Sequence, residues 1–405
     1  MIRIFLNGGA ASAGGGLTYL RNVIPQLAQQ PGIHTTVLLN RSLRREFAES
    51  PSLSFVEWAD SLSSATRLFH EQSAIPKIIQ QTRAQVLISA GNFALWRSPV
   101  PQILLSRNSL YTSPDFARDL RARSDYSVWT DTLLKGWLAR HSILRADITI
   151  APSESFAAEL RRWCGQTTGE SGGPRSGETS GKNVVAIPHG FNTVAFHADP
   201  TPLSPATQAQ LAAGADAFRL LFVSHYNYYR NFETLFQAMP ILRRRLPGKR
   251  VILYLTCRLR PNENPGSYRT EAAFRLRDRL RETCDIVELG SIAYRQLPHL
   301  YRACHVYVTP AYAESFAHPL VEAMSSGLPV VASDLPVHKE ICRGAALYFS
   351  RFSPEDLATK VLQVYQSPEL AKELSRAALR RSQDFSWEKH VRTLLNLARG
   401  LIGMN

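Results

Sequence analysis

Short apolar runs recur along the chain, each followed by a longer stretch in which apolar positions return at helical spacing. They read IRIFLN, HTTVLLN, AQVLIS, PQILLS, ITIAPS and NVVAIPHG, then RLLFVSH, RVILYLT, IVELGS, HVYVTPA, PVVASD and GAALYFS. Buried strands alternating with helices make parallel sheets covered on both faces. The runs fall into two halves. Between them, residues 197–217 (HADPTPLSPATQAQLAAGADA) are rich in Pro, Ala and Ser, without a strand pattern, and read as a linker. The pattern therefore predicts two doubly wound α/β domains, 1–200 and 201–385. A terminal helix over 386–405 opens on Ser386, carries Val391, Leu394, Leu395 and Leu397 on one face, and is expected to pack back on the first domain. Residues 165–183 (GQTTGESGGPRSGETSGKN) hold too little apolar area to offset the entropy of ordering and are expected to be a mobile loop. In doubly wound domains ligands sit at the carboxyl ends of the strands, so a cleft between the two domains is the expected site.

Composition narrows the partners. The hydrophobic fraction is 44% against 20% charged residues, and no apolar run reaches the roughly 20 residues of a membrane-spanning helix. The opening MIRIFLNGGAASAGGG reads as a first strand and its glycine turn, not as a signal peptide. Five cysteines without paired or metal-ligand spacing suit reduced thiols in a cytosol. The net charge of +14 favours an anionic partner. The densest basic cluster, Arg243 to Arg245 with Lys249, Arg250, Arg258 and Arg260, has no interleaved stacking aromatics, and reads as a solvated face, not a nucleic-acid site.

The stretch PAYAESFAHPLVEAMSSGLPVVAS, residues 310–333, carries the chemistry. HVYVTPA is a buried strand, Pro319 suits the first turn of a helix, Gly327 closes it and Pro329 follows. Glu314 then lies at the strand end and Glu322 about a turn into the helix. Backbone N–H groups around Ala317 to Leu320 offer an anion site at the positive end of the helix dipole. A carboxylate nearby can accept hydrogen bonds from both hydroxyls of a vicinal diol.

In that context the run LGSIAYRQLPHLYRACHVYVTPAYAESFAHPLVEAMSSGLPVVASDLPVHKEI resembles the donor domain of the family 4 (group 1) retaining glycosyltransferases and their Glu-x7-Glu signature. The resemblance implies the GT-B fold, two Rossmann-like domains facing a central cleft, the first for the acceptor and the second for a nucleotide-sugar donor. It implies that Glu322 holds the ribose and that Glu314 sits beside the transferred sugar. Backbone of Ser315, Phe316 and Ala317 would contact sugar hydroxyls or phosphate, and main chain at Gly290, Ser291 and Ile292 would grip the base, leaving UDP, GDP and ADP unseparated. In LLFVSHYNYYRNFETLFQAM, Ser224 and His225 stand where the family has Gly-Arg, and Arg230 stands for its Lys, followed by the matching Asn231. Arg keeps a permanent, bidentate cation for a diphosphate, whereas the charge of His225 depends on its neighbours. Tyr226, Tyr228 and Tyr229 between them read as half-buried loop tyrosines. Gly15 and Gly16 match the family's glycine loop near donor phosphates or acceptor. Arg107 or Asn108 stands in the neighbourhood of a family His that touches the donor sugar, and His189 replaces Asn in an IPNGVD-like turn at the cleft. The mixed-charge segment from 115 to 147 corresponds to a region that faces the acceptor in relatives.

No Ser/His/Asp set, Cys/His pair, metal-ligand cluster or Asp-x-Asp triplet appears. The expectation is a retaining, metal-independent hexosyltransferase of cell-surface polysaccharide assembly, with Arg230, His225 and Glu314 as its catalytic residues. It would use a UDP-, GDP- or ADP-hexose as co-substrate, with no further cofactor, and a glycan or lipid-linked acceptor. The expected location is the cytoplasm, with peripheral attachment at the inner face of the membrane left open. Two alternatives are a nucleotide-sugar epimerase of the same fold and a catalytically weak sugar-nucleotide or glycan-binding protein.

Overall fold

The computed structural model describes residues 1–11, 14–58, 64–165, 183–261, 263–264 and 268–403. The loop expected over 165–183 lies outside them apart from its two end residues. The chain divides into two compact units, one of residues 1–112, 130–190 and 386–405 and the other of 113–129 and 191–385.

The first unit is built on seven parallel strands: β1 (Ile2–Asn7), β2 (Ile33–Asn40), β3 (Leu53–Trp58), β4 (Val86–Ser89), β5 (Gln102–Leu105), β6 (Ile148–Ala151) and β7 (Asn183–Ala186), in the order β3-β2-β1-β4-β5-β6-β7. The second holds six: β8 (Phe218–Phe222), β9 (Val251–Leu255), β10 (Asp285–Glu288), β11 (Val306–Thr309), β12 (Val330–Ser333) and β13 (Ala346–Phe349), in the order β10-β9-β8-β11-β12-β13. Both are doubly wound. Strand order reverses between β1 and β4 and again between β8 and β11, and the loops leaving those pairs diverge into a crevice.

β3 is the strand absent from the apolar pattern. It lies at a sheet edge, and its residues Ser54 to Trp58 are only partly buried, so LSFVEW never forms a continuous apolar run. The 197–217 linker carries parts of two short helices, Thr193–Ala198 and Pro205–Ala212, and belongs to the second unit. Residues 113–129 also belong there, although their place in the sequence put them in the first domain.

The terminal helix Trp387–Gly403 returns to the first unit. Trp387, Val391, Leu394, Leu395 and Ala398 share one core with Tyr19, Leu20, Val23 and Leu27 of the helix Gly15–Ala28. His390 is fixed by the Pro188 carbonyl at 2.9 Å and the Tyr19 hydroxyl at 3.1 Å, and burial lowers its pKa to about 4. Gly190 admits the start of this helix, because a Cβ there would run into the backbone of Ser386 and Trp387. Backbone cannot swing aside like a side-chain tip. Gly190→Ala is therefore expected to destabilise the first unit by about 3 kcal/mol or more, the upper end of overpacking costs. An unchanged denaturation midpoint would contradict that packing.

Candidate functional site

The second unit's crevice is stitched together before any ligand arrives. After β8 the chain runs to a single turn, Tyr228–Arg230, and Asn231 adopts the left-handed conformation (φ 54°) before the helix Phe232–Arg245. Asn tolerates that conformation better than most side chains. Its amide donates to the Pro310 carbonyl at 3.1 Å and accepts from the Thr234 hydroxyl at 2.9 Å, while the Tyr312 N–H donates to the Tyr229 carbonyl at 2.9 Å. The exit loops of β8 and β11 thus form one surface. On it Arg230 and Glu314 make an ion pair, their side chains 19% and 9% exposed. That partial access suits a guanidinium that a ligand can reach.

His225 is exposed on the same β8 loop; its pKa is lowered by desolvation and by the neighbouring Arg230 guanidinium, so it is neutral near pH 7 in the free protein. Tyr226 and Tyr228 are fully buried, deeper than the half-buried positions read from the sequence.

After β11, Ala317 is left-handed (φ 64°) and starts the helix His318–Ser325 without a side-chain cap. In its first turn the Leu320 N–H donates to the Ala317 carbonyl at 3.0 Å, and the helix start presents the positive end of its dipole. Phe316 turns its ring into the core against Phe385, so only its backbone can serve a ligand. Four residues into the helix, Glu322 is 6% exposed and accepts a hydrogen bond from the Tyr301 hydroxyl on Oε2 at 2.9 Å. Burial raises its pKa to about 7, and Tyr301 opposes that rise. Desolvation first, and then the charge of Glu322, raises the pKa of Tyr294, which stands on the segment that follows Gly290, Ser291 and Ile292. Gly290 needs its freedom: its φ is +80° and a Cβ would meet Arg258 Nε at 3.2 Å.

Residues 113–129 buttress these loops. Tyr312, two residues before Glu314, donates to Asp119 at 2.6 Å, and Tyr228, two residues before Arg230, donates to the buried Asp125 at 2.8 Å. Arg123 joins Asp119 at 2.8 Å to Glu233 at 2.9 Å. None of these residues was singled out as functional from sequence, because partners 193 and 103 residues apart leave no local pattern. His338 was missed too: it follows β12, its Nδ1 lies 3.0 Å from the Ser333 hydroxyl, and its Nε2 is buried without a partner among the described residues. Burial lowers its pKa to about 4. Asp119→Asn weakens the Tyr312 and Arg123 contacts together. It is expected to cost about 1–3 kcal/mol in a urea titration.

In the first unit the expected residues separate. Gly15 and Gly16 open the helix Gly15–Ala28, and Arg107 reaches the start of that helix, donating to the carbonyls of Gly15 (3.2 Å) and Ala90. Desolvation lowers the pKa of Arg107, and no carboxylate pairs with it among the described residues. Asn108 instead caps the turn Ser109–Tyr111 through Leu110 N–H. His189 is 4% exposed within an aromatic cluster with Tyr19, Trp387 and His390, which is a packing position.

Much of the basic cluster at 243–260 is held locally: Arg243 by Thr283, Arg245 by Thr359, Lys249 by the Asp216 carbonyl and Arg250 by Asp285. Among the described residues no helix is long and apolar enough to cross a membrane.

Two parallel α/β units of this topology, with polar residues gathered at the strand-order reversal, define the GT-B class. Sucrose-phosphate synthase from Thermosynechococcus elongatus shares that fold, with a TM-score of 0.74 over 100% of both chains at 20% identity. Residues 204–381 match the family model described as glycosyl transferases group 1. O-antigen chain mannosyltransferase B of Escherichia coli is 31% identical over 108 residues, 27% of this chain and 28% of its own. Mannosylfructose-phosphate synthase of Agrobacterium fabrum is 25% identical over 230 residues, 54% of this chain and 48% of its own. The chain spans about half, or less, of the length of the curated relatives it matches.

Proposed function

We propose that the protein is a retaining glycosyltransferase that moves a hexose from a nucleoside-diphosphate sugar to a glycan or lipid-linked acceptor, without a divalent ion, in the assembly of a surface polysaccharide. One observation carries the reading: the partly exposed Arg230–Glu314 pair lies just ahead of a helix start without a side-chain cap, and the buried Glu322 stands four residues into that helix. In this reading the diphosphate lies against Arg230 and the positive end of the helix His318–Ser325, and Glu322 accepts from the ribose diol. As the bond from anomeric carbon to phosphate oxygen breaks, the guanidinium and the helix dipole stabilise the charge gathering on the leaving group. The acceptor oxygen bonds to that carbon on the same face and its proton passes to the departing phosphate. Glu314 orients Arg230 and lies beside the sugar. The names of the relatives make a mannose-bearing donor the first to try.

The test is incubation with UDP-, GDP- and ADP-hexoses in EDTA, following nucleoside diphosphate release and the anomeric configuration of the product. Transfer with retention in EDTA supports the proposal. Failure of every donor to bind overturns it, and dependence on an added divalent ion overturns the metal-independent part.

A further inference from the structure

The helix Tyr126–Arg145 holds an apolar face that the first unit leaves uncovered. Gly136, Ala139, Ser142 and Ile143 are buried, while Leu133, Leu134, Trp137 and Leu144, on the opposite side at helical spacing, are 52%, 60%, 64% and 37% exposed. His141 extends the stripe, stacked on Trp137 with ring centroids 5.8 Å apart, and Trp96, itself 36% exposed, meets His141 edge-on at 6.4 Å. The Arg145 guanidinium donates to the Trp96 carbonyl at 3.1 Å and fastens the two segments together. Contiguous exposed apolar surface with two tryptophans is uncommon on a monomer and marks an interaction site.

The rim identifies the partner. Arg97, Arg140 and Arg145 are exposed around the stripe, and the one carboxylate on the helix between residues 130 and 145, Asp131, is held by Lys135 at 2.7 Å. Tryptophan and leucine in the middle with guanidinium groups at the edge complement the acyl–headgroup boundary of an anionic bilayer, where indole rings settle and cations meet lipid phosphate. The chain's net charge of +14 adds long-range attraction of the same sign. We infer that this face docks the protein on the surface of an anionic phospholipid membrane. The face suits the lipid-linked acceptor proposed above, but its test involves no sugar transfer and so stands or falls separately.

The experiment is flotation of the full chain with vesicles of phosphatidylcholine alone or with about one third phosphatidylglycerol. The protein should float with the anionic vesicles at least ten times better than with the neutral ones, and less as salt is raised. Leu133→Gln, Leu134→Gln and Trp137→Ser together should reduce flotation at least tenfold with the thermal transition retained. Arg140→Gln with Arg145→Gln should weaken binding to anionic vesicles only. Absence of flotation, or equal flotation of the triple variant, overturns the inference. So does a parent dimer that the triple variant turns into monomers, which assigns the face to a second copy. Should the triple variant not fold, quenching by brominated lipid in the parent and in Trp137→Phe decides, and equal quenching of the two overturns the inference.

Discussion

Arg230→Met should lower sugar transfer by about a hundredfold to a thousandfold, the range seen when a donor aimed at developing charge is removed. The same substitution strands Glu314, whose side chain is 9% exposed and whose counter-ion in the structure is Arg230. A carboxylate without its partner in such a place costs about 3 kcal/mol or takes up a proton. Lost activity alone would then not separate a catalytic role from a structural one. The double variant Arg230→Met with Glu314→Gln does, because it removes both charges. Its stability should recover toward that of the parent while transfer stays low. Arg230→Lys should retain partial activity, since a point cation replaces a bidentate one. Recovery of transfer in the double variant would show that the pair holds the loop and does not serve the diphosphate. His225 cannot substitute for the missing cation in the free protein, because desolvation and Arg230 lower its pKa. With Arg230 gone one of those influences goes too, and a bound diphosphate would favour the protonated imidazole. Residual activity of Arg230→Met should accordingly rise as pH falls.

What the sequence disclosed follows from how locally each feature is encoded. Central strands such as β4, β5, β6 and β11 are buried along their whole length and announce themselves as apolar runs. The edge strand β3 does not, because one flank meets no neighbour and its residues stay half-exposed. Arg230 and Glu314 could be paired on paper, since doubly wound topology brings the loops after the first and fourth strands of a sheet to the same crevice. Asp119 and Asp125 could not, because they enter the second unit from a segment, 113–129, that residues 130–190 of the other unit separate from the rest of it. The exposed apolar stripe on the helix Tyr126–Arg145 lay hidden for a different reason. Read in order, 115–147 mixes charge and apolar residues, and only sorting around the helix axis separates buried Gly136, Ala139 and Ile143 from exposed Leu133, Leu134 and Trp137.

Glu322→Gln should make the protein more stable and a poorer binder at once. Burial raises the carboxyl from the ordinary 4.5 to about 7, so between those two pH values the folded chain keeps a proton that the unfolded chain has released. Stability therefore falls as pH rises through that window, and above it the buried charge costs about 3 kcal/mol. Glutamine is isosteric with the protonated acid, and its carbonyl still accepts from Tyr301. Parent and variant should match at pH 4 and diverge by about 2–3 kcal/mol at pH 8. Glu71, buried and likewise raised to about 7, shapes both curves equally and drops out of their difference. Binding runs the other way. A charged carboxylate accepts more strongly from a diol than an amide does, so parent affinity for a nucleoside diphosphate should rise through pH 7 while that of the variant stays flat and about tenfold lower. Coincident stability curves at pH 8 would mean that water already solvates the carboxylate. An unchanged affinity would mean that the ribose is held elsewhere, leaving the strain of burying Glu322 without a ligand to account for it.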